Sequence, residues 1–254
     1  MVKLIFLGSG SAFTVGNGNF QSNMLLVNNQ EEKLLIDCGS DIRFSLYKEG
    51  FAHSDITNIF ISHLHSDHVG GLEYIGLTTK FDPNCQKPNL FLSKDIASEI
   101  WVNTLSGGMS AVEGDIYDIN DYFVVHKIDR YHSFSWSGIE FYLIPVIHVN
   151  TNFYIWPTYG LFFQVSGLKI WITADTKFNF ESMQKYYLDA DIIFHDCETS
   201  RFPTPVHARY PQLLTLPDAI RSKIWLYGYH PGSLPEAEKD GFLGFVKRGQ
   251  VFEF

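Results

Sequence analysis

Short apolar runs rich in β-branched and aromatic residues recur along the chain, at positions 2–7, 22–27, 33–36, 56–61, 89–92, 139–147, 161–165, 169–173 and 191–195. Runs of that length, bounded by Gly, Asn, Asp and Ser, predict buried or half-buried strands. The polar turn 28–32 pairs the second run with the third. Ser40 is placed to cap a helix over 41–49 that Gly50 ends, and helical pieces fall between most of the later strands. Positions 242–246, the turn Lys247-Arg248-Gly249 and positions 250–254 read as a closing hairpin. Residues 103–118 lack periodicity, and such a stretch in a compact domain reads as a lid or binding loop. No repeat and no linker interrupts the pattern, so one α/β domain over 1–254 is expected.

Composition narrows this further. The 254 residues are 45% hydrophobic, enough for one large core. A net charge of -9 leaves no electrostatic footprint for a long nucleic acid, whose binding depends on phosphate neutralisation. The three cysteines, Cys38, Cys85 and Cys197, are odd in number and lack CxxC spacing. That fits a reducing compartment and packing roles, and neither a disulfide framework nor a cysteine-ligated metal. The apolar start is too short for a secretory core, and no run approaches the ~18 residues of a membrane span. A cytoplasmic protein with no membrane partner is expected.

The densest chemistry is Ile61-Ser62-His63-Leu64-His65-Ser66-Asp67-His68-Val69-Gly70-Gly71. Directly after a strand, alternation points His63 and His65 the same way, while Asp67 and His68 turn toward a second ion; Val69-Gly70-Gly71-Leu72 then opens a helix. A two-ion hydrolytic centre needs further donors at strand ends, either single histidines or an acid that bridges both ions. His148, Asp175 and His230 each follow a predicted strand and supply them. The aromatic segment 152–159, with Phe153, Tyr154, Trp156 and Tyr159, either stacks a substrate base or packs the core. His53, His126 and His132 match no site and are expected to be ordinary.

This order of motifs, from Leu7-Gly8-Ser9-Gly10 through Asp37-Cys38-Gly39 to His230, resembles the metallo-β-lactamase fold, most closely its ribonuclease Z branch. The resemblance implies a four-layer αββα sandwich with the metals at the edge where two sheets meet. It assigns His63, His65 and His148 to one zinc, Asp67, His68 and His230 to the other, and Asp175 to the bridge; manganese is the other ion considered. The same fold commonly places an acid behind a metal-bound imidazole, a place that Asp37 takes. The stretch 190–198 is similar to the branch's His-Glu-Ala-Thr motif, with Asp196 in the Glu place and His207 in that of a later histidine. Such a pair either holds a general acid for an alkoxide leaving group or is a structural ion pair.

Positions 149–174 are too few for the tRNA-gripping arm of ribonuclease Z together with the expected strands. Segments 20–26, 37–44, 78–85, 196–200 and 240–247 are instead similar to the phage and bacterial anti-Pycsar proteins. That resemblance implies a homodimer that hydrolyses 3',5'-cyclic CMP, UMP, AMP and GMP to 5'-monophosphates, countering an antiviral signal. An RNA 3'-end endonuclease and a non-catalytic nucleotide-sequestering protein are the alternatives.

Overall fold

The computed structural model describes residues 1–16 and 18–254. The first sheet holds β1 (Lys3–Phe6), β2 (Met24–Val27), β3 (Lys33–Ile36), β4 (Asn58–Phe60) and β5 (Asn89–Ser93) in sequential order. β6 (Ala111–Val112) and β7 (Asp115–Ile116) form a separate hairpin, and β8 (Val124–Ile128) closes the first sheet beyond β5. The second sheet is built from β9 (Ser133–Trp136), β10 (Ile139–Pro145), β11 (Tyr159–Val165), β12 (Leu168–Ile172), β13 (Ile192–Asp196), β14 (Ile224–Tyr227) and β15 (Gly244–Phe245), again in sequential order. The last strand, β16 (Val251–Glu253), pairs antiparallel with β1.

Both sheets begin antiparallel and become parallel from β3 to β8 and from β12 to β15, with helices in every crossing except that from β14 to β15. Helices α1 (Ile42–Lys48), α2 (Ser66–Val69), α3 (Leu72–Phe81) and α4 (Lys94–Ile100) serve the first sheet, and the helix Phe180–Asp189 serves the second. α3 buries Leu72, Ile75, Gly76 and Thr79, the one-face spacing of a helix lying on a sheet. Ser93 caps α4 by accepting from Ile96 N, and Asn179 caps the helix Phe180–Asp189 by accepting from Ser182 N.

The side-chain period of two separates the layers. On β12, Ile170 and Ile172 join the main core, whereas Trp171 joins a second cluster with Met183 and Tyr187 of the helix outside. β13 divides in the same way, with Phe194 in the main core and Ile193 outside. The ring of Phe6 from the first sheet packs 5.3 Å from Phe194 and 5.8 Å from Tyr227 of the second. Two sheets thus face each other with helices outside, the four-layer αββα sandwich of the metallo-β-lactamase fold. Among the described residues, no helix is long and apolar enough to cross a membrane.

Three local expectations are corrected. The C-terminal strands do not form a hairpin: β15 runs parallel to β14 in the second sheet, while β16 joins β1 in the first. Each covers an otherwise open sheet edge, which satisfies more backbone groups than two short strands gain from each other. Ser40 caps nothing; its Oγ donates to Gln21 Oε1, and Asp41 precedes α1 with its Oδ2 accepting from Gln21 N. Residues 103–118 are structured, as a wide π turn over Trp101–Leu105, a short helix Ser106–Met109 and the β6–β7 hairpin. Buried Leu105 and Met109 anchor the segment, with Tyr122 donating its hydroxyl to the Met109 carbonyl. A π turn has neither the helical nor the strand period, so the pattern left no trace in the sequence.

Phe6 is fully buried between the sheets, so Phe6→Ala is expected to cost about 3–5 kcal/mol in a urea titration. A second prediction concerns His195, buried on β13, whose Nδ1–H donates to the Asp196 carbonyl while Nε2 accepts from the Tyr187 hydroxyl. Burial depresses its pKa to about 4. An imidazole held neutral contributes stability above the unfolded value of ~6.5, and that contribution is lost as pH falls toward 4. Urea titrations at pH 7 and pH 4 are expected to show His195→Gln losing roughly 3 kcal/mol less than the parent over this interval.

Candidate metal centre

The chemistry-bearing side chains collect at one edge of the sandwich, at the C-terminal ends of strands from both sheets. Asp37 follows β3, the His63–His68 segment follows β4, His148 follows β10, Asp175 follows β12, Asp196 ends β13, and His230 follows β14. The motif is extended only as far as His65. Ser66 starts α2, a single turn that carries Asp67 and His68. The helix expected from Val69 therefore divides into α2 and α3.

Two glycines let this segment lie against the β3–α1 turn. A Cβ at Gly39 would sit 2.1 Å from the Asp67 carbonyl oxygen, and one at Gly71 would sit 2.4 Å from the Gly39 carbonyl oxygen. Asp37 and Ala174 hold left-handed φ angles of 62° and 54° beside the ligand positions. Such conformations in non-glycine residues cluster at functional sites.

Three rings converge on one point. His65 Nδ1 lies 3.0 Å from His63 Nε2 and 3.1 Å from His148 Nε2. Asp175 Oδ2 lies 3.9 Å from His63 Nε2 and 3.8 Å from His148 Nε2. The same oxygen is 3.3 Å from His68 Nε2, which in turn is 3.1 Å from Asp67 Oδ2. Asp175 is thus shared by two donor groups, His63–His65–His148 and Asp67–His68.

The outer faces of the rings show why they converge. His68 Nδ1 donates to Asp37 Oδ2 at 2.7 Å, and His148 Nδ1 donates to the Val206 carbonyl at 2.9 Å. His63 Nδ1 donates to Ser62 Oγ at 3.0 Å, and Ser62 passes its own proton to Asp37 Oδ2. With their outer nitrogens donating, His63 and His148 each turn an inner Nε2 lone pair to the centre, where His65 Nδ1 also points. Lone pairs and carboxylates turned to one point repel unless a cation lies between them. Tetrahedral N and O ligands at ~2.0–2.1 Å from an ion stand roughly 3.3 Å apart, close to these separations. The donor set fits divalent metal ions.

The pKa directions follow from burial and these neighbours. Burial lowers His63, His65 and His148. Burial opposes charge on His68 too, but the carboxylates of Asp175, Asp67 and Asp37 outweigh it and raise its pKa. Burial would raise Asp175, yet the charges of His68 and His207 hold it well below the usual carboxylate range. His207 Nδ1 donates to Asp196 Oδ2 at 2.8 Å and lies 3.8 Å from Asp175 Oδ2. Against burial, those two carboxylates push His207 up to about 10, so the pair is an imidazolium held on a carboxylate.

Two expected residues stand apart. His230 lies outside both donor groups, with its backbone N–H on Thr199 Oγ1 and its Nδ1 buried without a partner. Of the aromatic segment, Trp156 lies edge-on to His65 at 4.5 Å, and Phe153 and Tyr154 are exposed. Tyr159 takes the packing alternative and not the base-stacking one: it is 1% exposed on β11, with its hydroxyl on Asp95. Beside His230, a cleft of about 310 Å³ is lined by Thr14, Asn19, Tyr229, Pro231, Lys247 and Arg248.

A family model described as anti-Pycsar protein Apyc1 matches residues 2–252. The chain belongs to the anti-Pycsar Apyc1 family. An Apyc1 protein of Paenibacillus harenae is 33% identical over 226 residues, covering 88% of each chain. One of Bacillus phage 010DV004 is 30% identical over 261 residues, covering 99% of this chain and 98% of that one. Among solved structures, a diphosphatase of the PhnP family superposes with a TM-score of 0.75 at 18% identity, covering 100% of this chain and 98% of that chain. Human tRNase Z, short form, reaches 0.71 at 18% identity, covering 99% of this chain and 98% of that chain. At such identities these two likenesses speak for the fold.

Sequence reasoning passed over three positions of this Apyc1-family site. Ser62 links Asp37 to His63, the Val206 carbonyl holds His148, and buried Glu198 accepts from Thr204 N with both oxygens, shaping the loop that carries His207. Ser62 had a signal, a hydroxyl directly before the first histidine. The other two depend on a loop closure that spacing does not encode.

Asp37→Asn keeps a residue that tolerates the left-handed backbone but removes the charge behind His68. It is expected to weaken zinc binding about 10–100-fold in competition with a chromophoric chelator, with the fold intact by circular dichroism. Unchanged affinity would mean that His68 is positioned without Asp37.

Proposed function

We propose that this protein is a binuclear metal-dependent phosphodiesterase that opens 3',5'-cyclic nucleotides, cCMP and cUMP as well as cAMP and cGMP, to 5'-monophosphates. The observation that carries the proposal is the single Asp175 oxygen shared by two donor groups, with the His207 imidazolium 3.8 Å away. Membership of a family called anti-Pycsar supports it, through the cyclic-nucleotide signal that the resemblance implies.

His63, His65 and His148 would hold one zinc or manganese ion, and Asp67 and His68 the other, with Asp175 between them; His230 completes the second set by turning its unpartnered ring inward. Ions held there supply electrophilic activation of the phosphodiester and make an attacking water more acidic. Water adds to phosphorus, the P–O3' bond breaks, and the 3' oxygen needs a proton. His207, oriented by Asp196, is the group placed to give it. Trp156 forms a wall beside His65, and the exposed rings of Phe153 and Tyr154 are candidates for the base.

The homodimer belongs to the same reading. Phe13, Val15, Phe153, Tyr154 and Phe202 are exposed on loops that flank the ligand-bearing segments, where a second copy would cover them. The free thiols Cys38, Cys85 and Cys197 fit a reducing cytoplasm. Only the loop 146–158 and β11 separate β10 from β12, which leaves no place for an RNA-gripping arm in that segment.

Incubation with the four cyclic nucleotides is expected to give 5'-monophosphates by chromatography, and chelator is expected to abolish them. Cleavage of precursor tRNA with the cyclic nucleotides left intact would overturn the proposal in favour of an endonuclease, and stoichiometric recovery of intact bound nucleotide would mean sequestration. His207→Ala is expected to lower kcat about 10²–10⁴-fold with KM little changed.

A further inference from the structure

His53 and Cys85 match no part of the centre above, yet the fold brings them together. His53 lies on the short turn His53–Asp55 before β4, and Cys85 follows the end of α3. With Asp82 between them, the three side chains offer one ligand atom each, all within 4.8 Å of one another. α3 begins beside the His63–His68 segment and runs for 10 residues, so at ~1.5 Å per residue this cluster lies on the order of 15 Å away along the helix.

We propose that His53, Asp82 and Cys85 form a further metal site, taking a zinc-like divalent ion and pinning the turn before β4 to the end of α3. His53 Nε2 stands 3.3 Å from Asp82 Oδ2. That is longer than a charge-assisted hydrogen bond of ~2.7–2.9 Å. It matches the roughly 3.3 Å between N and O ligands of one tetrahedral ion. Two of the three donors are already oriented. Asp82 Oδ1 accepts from Asn84 N and Asn84 Nδ2, which leaves Oδ2 for the cluster. The His53 ring meets Tyr74 edge-on, with centroids 6.4 Å apart. The nearby Asp55 is engaged elsewhere, by Ala52 N and Lys33 Nζ.

One imidazole, one carboxylate and one thiol make a donor set suited to zinc, with water as fourth ligand. Without a cation, burial and then Asp82 push the Cys85 thiol up, so it would give up its proton on binding. The site is distinguishable from the proposed active centre because that centre contains no thiolate.

The test uses the full chain freed of metal by chelator and titrated with Co²⁺. A thiolate-to-cobalt charge-transfer band in the near ultraviolet is expected, absent in Cys85→Ser and weakened in His53→Gln. On reloading with Zn²⁺, elemental analysis is expected to show one equivalent fewer per chain in either variant, with the remaining metal unaffected. No thiolate band in the parent protein, or a band that survives in Cys85→Ser, would overturn the proposal. Because the band is read on the parent protein, a variant that fails to fold does not decide the outcome.

Discussion

The structure is organised around one buried carboxylate. Asp175 Oδ2 stands within 3.9 Å of nitrogens from His63, His68, His148 and His207, residues contributed by both sheets. A buried charge left unpaired costs several kcal/mol, so the loops around it must hold positions that neutralise it. The imidazoles do this only in part: carboxylates raise the pKa of His68 and His207, whereas burial lowers His63 and His148, whose outer hydrogen bonds turn neutral lone pairs toward the same point. That leaves a cluster of donors suited to a divalent cation, a candidate metal site.

Holding that arrangement requires a rigid frame. The ligands stand on strand ends or directly after them, and the strands are fixed by a core that runs between the sheets through Phe6, Phe141, Phe163, Phe194 and Tyr227. Backbone strain is concentrated where the frame meets the site, at Asp37 and Ala174. Left-handed residues of this kind cost ~1–3 kcal/mol each and persist only where surrounding contacts over-determine them. Asp37 is over-determined by three donors, Ser62 N, Ser62 Oγ and His68 Nδ1. The carboxylate that orients a ligand is thus also the one that holds its own strained turn.

The same frame separates chemistry from anchoring. His207 and Asp196 are set by a loop that Glu198 shapes, so the reach of the proposed acid depends on contacts that touch neither metal nor substrate. Trp156 lies edge-on to His65, and Phe153 and Tyr154 are exposed on the same loop.

Much of this was legible in the residues themselves. Short β-branched runs located most of the strands, because burial and a period of two are local properties. The density of donors from His63 to His68 marked a candidate metal centre, and the structure brings His148 and Asp175, which follow apolar runs, into the same donor groups. Other features came only with tertiary structure. β15 and β16 part to different sheets, Tyr159 turns inward, His230 stands off from the donor groups, and His53 meets Cys85. Each depends on which distant segments become neighbours. That choice is made by sheet edges, loop closure and the pairing of buried polar groups, none of which leaves a periodic signal along the chain.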